Sequence, residues 1–103
     1  MLTALLLAVS IFPLVSTPPG YFRVTVIVPR HEDNRRLILV FSDEYGMIKK
    51  SEMNLDKRSP LQYVRYLTKL PSGEYTYEAI VIQSHEGKEK MLYTSMGFVV
   101  IGG

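Results

Sequence analysis

The side chains able to ligate a metal or move protons are densest in three short groups: His31-Glu32-Asp33, Asp43-Glu44 and His85-Glu86. A closed metal site wants ligands at a fixed spacing such as His-x-His or His-x-x-x-His, and neither surrounds the two histidines. The chain has no Cys, which removes thiolate ligands, thiol nucleophiles and disulfides together. No Gly-x-Ser-x-Gly elbow occurs and no serine is set by motif beside a histidine, so Ser-His hydrolysis has no framework. Carboxylates on flexible loops suit at most a weak Ca²⁺ site, and ordinary turn polarity accounts for the same residues. The chain is therefore expected not to be an enzyme and to use no cofactor.

Those loops must be held by something, and the residues from 21 onward read as strands. They are dense in Val, Ile, Leu, Tyr and Thr, with no long run at helical spacing. Over 21–28 the pattern alternates, with Phe22, Val24, Val26 and Val28 on one face and Arg23, Thr25 and Ile27 on the other, until Pro29 stops the ladder. A polar loop over 30–35 leads to a strand over 36–42, where Leu37, Leu39 and Phe41 oppose Ile38 and Val40. Two apolar faces predict a central strand. Turn residues at 43–46 precede a more polar strand over 47–53, and the irregular segment 55–60 predicts a crossing between sheets. Alternation resumes over 61–70, a turn follows at 70–73, and 74–83 is the strongest strand pattern in the chain. Residues 84–87 form a hairpin connection into the last strand, 89–101. Six or seven strands with turns about every ten residues predict an all-β, two-sheet antiparallel sandwich.

The first sixteen residues are a different material. Met1 to Val15 carries no charged side chain and runs through Leu5, Leu6, Leu7, Val9, Ile11 and Phe12 toward small Ser16 and Thr17. That pattern predicts a signal peptide or N-terminal hydrophobic segment over 1–16, a linker over 17–20 and the folded domain over 21–103. The protein is then secreted or periplasmic. Pro13 interrupts the run, which is shorter than the ~20 apolar residues a spanning helix needs, so contact with a membrane is expected only through this segment if it stays uncleaved.

At Leu70-Pro71-Ser72-Gly73-Glu74-Tyr75 the sequence resembles the tyrosine corner of fibronectin type III-like and other immunoglobulin-like domains, and the whole chain resembles small exported bacterial proteins of that sandwich type. The resemblance implies that Leu70, Pro71, Gly73 and Tyr75 tie two sheets at a strand connection, with the Tyr75 hydroxyl bonded to backbone between Tyr66 and Ser72. The second strand lacks the Trp of the fibronectin pattern, and Phe41 substitutes for it. An immunoglobulin-like topology also implies that His31 and His85 emerge at opposite ends. Asp43, Glu44, His85 and Glu86 would share one end and form a candidate loop-end site.

Lys plus Arg number 12 against 10 Asp plus Glu, interspersed over most of the chain, so the formal +2 gives no strong field for nucleic acid or anionic lipid. If Tyr75, Tyr77, Ala79 and Val81 face the core, then Ile80 and Ile82 point outward, and Phe98 and Val100 are expected to join them in a partner face. The expected function is an exported, non-catalytic binding or structural module that engages another protein. The alternative is a carbohydrate-binding or protease-inhibitory module, with Tyr45, Tyr63, Tyr66 and Tyr93 as candidate stacking rings.

Overall fold

The structure is a computed structural model that describes residues 7–102. The first six residues of the predicted leader lie outside it. Eight strands follow in order: β1 Ala8–Phe12, β2 Val15–Ser16, β3 Gly20–Ile27, β4 Asn34–Asp43, β5 Ile48–Asn54, β6 Gln62–Leu70, β7 Gly73–His85 and β8 Lys88–Val100. They build two sheets, one in the order β1-β3-β6 and one in the order β2-β8-β7-β4-β5. The molecule is all-β.

Alternation decides which face each strand buries. In β3, Phe22, Val24 and Val26 are buried while Tyr21, Arg23 and Ile27 are exposed. Across the core, Leu37, Leu39 and Phe41 of β4 pair with Val81, Ala79 and Tyr77 of β7, all buried. Phe41 lies in an aromatic cluster where it stacks on Tyr75 at 5.5 Å between ring centroids, and Phe98 packs against Phe22 at 4.6 Å. The β7–β8 hairpin turns on Glu86 and Gly87, both at positive φ, the two-residue turn whose twist matches the strands it joins. The predicted crossing between sheets runs from β5 to β6, and Leu55 is buried within it.

Two expectations are corrected, and the start of the chain adds pairs that its spacing did not show. Among the described residues, Ala8–Phe12 and Val15–Ser16 pair within the sheets, so pairing reaches back to Ala8, well before residue 21, and residues 17–19 connect two strands. The physical reason is that an apolar run has the same composition whether it is a leader or a strand beside a core: Ile11 is 4% exposed and packs in the core cluster. The described residues form eight strands, above the six or seven predicted. The larger sheet is also mixed, because β2 runs parallel to β8 through Val15↔Val99 and Ser16↔Val100.

Candidate functional site

The extra strand at the start changes which loops meet. With β1 in place, residues 31–33 lie in the β3–β4 connection, and the strand after it pairs with β7, so the first histidine group comes up against the β7–β8 turn. Asp33 sits between both histidines. Its carboxylate Oδ1 accepts from His85 Nδ1 at 3.2 Å, and its carbonyl accepts from the Ser84 N–H at 2.9 Å. The Asp33 backbone N–H donates to His31 Nδ1 at 3.0 Å, so in this geometry that nitrogen is an acceptor and its 3.7 Å approach to Asp33 Oδ2 is not an ion pair. Beneath them, buried Asn34 donates from Nδ2 to the Pro29 carbonyl and accepts at Oδ1 from Gln83 Nε2. The two histidines expected at opposite ends thus flank one carboxylate.

Asp43 and Glu44 lie at the other end of the sandwich, where Asp43 pairs with Tyr75 near the start of β7. The run of β7 from there to His85 is roughly 30 Å at the rise of a strand. The expected loop-end site of Asp43, Glu44, His85 and Glu86 is therefore not assembled. Its two halves have local work: Asp43 Oδ1 accepts the N–H groups of Tyr45 and Met47, which shapes the β4–β5 turn, and Glu44 Oε1 accepts the Glu74 N–H at 3.3 Å. His85 and Glu86 belong to the Asp33 end, with His85 Nε2 3.8 Å from Glu86 Oε1. Among the described residues no three His, Asp or Glu side chains gather closely enough to hold a metal ion.

Tyr75 is buried at the β6–β7 connection, and its hydroxyl donates to the Pro71 carbonyl at 2.6 Å. Burial first, and then the nearby charges of Asp43 and Glu44, raise its pKa above the ordinary tyrosine value. Leu70 and Gly73 close the strands on either side of that connection.

The expected partner face divides. Phe98 and Val100 are core residues, because β8 pairs Phe98 with Tyr75 and so shares its inward parity. Ile82 does point to the outer side, but it is only 7% exposed between its row neighbours Arg36 and Met91. Ile80 is half-buried. The exposed apolar surface lies one strand over: register aligns Ile38, Ile80 and Tyr93 in one row and Ile82 and Met91 in the next, with Tyr93 58% and Met91 61% exposed. Glu52, Lys50 and Glu78 border these rows. Alternation from Ile80 along one strand could not reveal Tyr93 and Met91, since they join the patch only through the β7–β8 register.

The candidate stacking tyrosines are dispersed. Tyr45 is in the β4–β5 turn, Tyr93 is on the outer side of the larger sheet, Tyr63 is half-buried, and Tyr66 is exposed on the smaller sheet. There it shares a row with Arg23 and the exposed Phe12. No protein family, curated protein or solved structure matches this chain, so the functional reading rests on its own geometry.

Proposed function

We propose that this chain is an exported, non-catalytic module of the immunoglobulin-like kind that binds another protein through the outer face of its five-stranded sheet. The observation that carries the reading is the contiguous apolar surface of Ile38, Ile80, Tyr93 and Met91, bordered by charges of both signs. An apolar centre with a charged border is the anatomy of a protein interface, and an exposed Tyr gives area at a low cost in side-chain entropy. The immunoglobulin-like assignment is supported by the crossing from β5 to β6 between sheets and by the Tyr75 hydroxyl bonded back to Pro71. The parallel β2–β8 pairing is a departure from a purely antiparallel sandwich.

A photo-crosslinking residue at position 93, in the cell that makes the protein, tests the interface. Discrete crosslinked adducts that vanish with Met91→Lys, in a variant whose thermal midpoint is unchanged, are expected. An absence of adducts at position 93 alongside adducts from the opposite sheet would overturn this assignment of the face. Export is part of the proposal and is supported by the uncharged apolar start of the chain. Mass spectrometry of the N-terminus of the mature protein checks it: a mature start after Ser16 would mean that β1 and β2 belong to the precursor alone.

One observation favours a second reading, a carbohydrate-binding module. Phe12 and Tyr66 stand exposed on either side of Arg23 on the smaller sheet, which offers two ring faces and a hydrogen-bond donor on one surface. Glycan-array binding lost with Tyr66→Ala favours it, and a blank array retires it.

A further inference from the structure

The sandwich is closed along one side and open along the other. On the closed side the chain passes directly from β1 in one sheet to β2 in the other. On the open side β5 and β6 are the free edges of their sheets. A cleft of about 380 Å³ opens between them and reaches inward to Leu39, Phe41, Leu67 and Tyr77.

Register sets what lines its lip. Lys49 pairs with Phe41 and Ser51 with Leu39, so both share the inward parity of core residues of β4. Arg65 pairs with Val24, which is fully buried, and so takes inward parity in the facing sheet. Two cations thus stand on the inner sides of the two edge strands, over an apolar floor, and Lys50, of outward parity, adds a third at the lip. No acidic side chain lines the cleft, and among the described residues neither inward cation has a carboxylate within 4 Å. Among the described residues, the one hydrogen bond of the Arg65 guanidinium goes to the neighbouring Val64 carbonyl. Its positive charge also acts on the Tyr77 phenol, opposing the larger upward push that burial exerts on that pKa.

We propose that this open side binds an amphipathic anion, an acyl chain carrying one carboxylate or phosphate. The chain would lie against Leu39, Leu67 and Phe41, and the anionic head would sit between Lys49 and Arg65, with the Ser51 hydroxyl as a neutral donor. An acidic peptide fits less well. The unpaired backbone groups of β5 and β6 lie in the planes of their sheets, where an added strand would sit, whereas the cleft between the sheets presents side chains. An inward charge on an edge strand also discourages edge pairing, but that role gives no reason for an apolar cleft to accept a ligand.

Calorimetric titration of the full chain with monomeric sodium decanoate tests the site, with decanol as the uncharged counterpart. One-to-one binding is expected, at least about tenfold tighter for decanoate than for decanol and weakening with salt. Lys49→Gln with Arg65→Gln should abolish that preference while leaving the thermal midpoint within a few degrees. Leu67→Trp, which fills the floor, should block decanoate without removing either cation. A parallel arm compares phosphatidylglycerol with phosphatidylcholine vesicles: cation-dependent binding to either free decanoate or the anionic vesicles supports the proposal and identifies the source of the acyl anion. Binding in neither arm, equal affinity for decanol, or binding indifferent to both cations overturns it. So does a double variant that merely aggregates while the unaltered chain ignores decanoate.

Discussion

Tyr75 links two parts of the fold through a single hydroxyl. Its ring stacks on Phe41 and Phe98 inside the sandwich, while its oxygen reaches the Pro71 carbonyl at the surface end of the same connection. Tyr75→Phe keeps the ring and leaves that carbonyl without its donor, a loss of about 1 to 3 kcal/mol. Tyr77→Phe should cost less: its ring is equally buried, but among the described residues its hydroxyl has no protein hydrogen bond. Urea midpoints of the two variants measure the difference, and equal values would show that the Pro71 bond contributes nothing. The same pair reads out pH. A phenol whose pKa is raised by folding adds stability that is fully present below the unfolded value of about 10 and is lost as pH rises through the folded value. Tyr75→Phe should therefore flatten the alkaline loss of stability. At this scale the sequence was informative, because a Leu-Pro-x-Gly-x-Tyr stretch demands local geometry that neighbouring residues alone specify. Lys49 and Arg65 were not legible, since each looks like any exposed strand cation until cross-strand register gives it an inward parity.

The elements from β3 to β8 follow the alternation of the chain closely, and Leu37, Leu39 and Phe41 occupy the core side that their spacing predicts. β1 does not announce itself. Its residues are apolar on both faces apart from Ser10, and periodicity says little in a run with a single polar position. Missing that one strand misplaces β3 and β4 in the topology while β7 and β8 keep their places, and because β4 in fact pairs with β7, His31 was expected far from His85 and Asp43 near it. A side-chain test belongs to this scale. Ile11 is buried against the core, so Ile11→Ala should cost about 2 to 5 kcal/mol, whereas Ile27→Ala on the exposed side of β3 should stay within about 0.5 kcal/mol. Thermal or urea unfolding of the two variants decides it. Equal stability would mean that β1 is no part of the protein's working fold.

Over the whole molecule, all-β architecture was legible because strand periodicity and turn chemistry agree along most of the chain, while the pairing of the sheets was not, because register joins residues far apart in sequence. The 52 Å long axis exceeds twice the 21 Å shortest one. The chain direction then has a mechanical meaning. β2 and β8 run the same way, held where Val99 N–H donates to the Leu14 carbonyl and Ile101 N–H to the Ser16 carbonyl. Tension drawn between residues near the start of β1 and the end of β8 pulls these strands past each other lengthwise, as it does the five register pairs of β1 on β3. Such bonds are loaded in shear, together, where an antiparallel hairpin pulled from its open end would yield one bond at a time. The split first strand is thus a clasp, and in a chain strung between two anchors it would share the load among bonds that must break together.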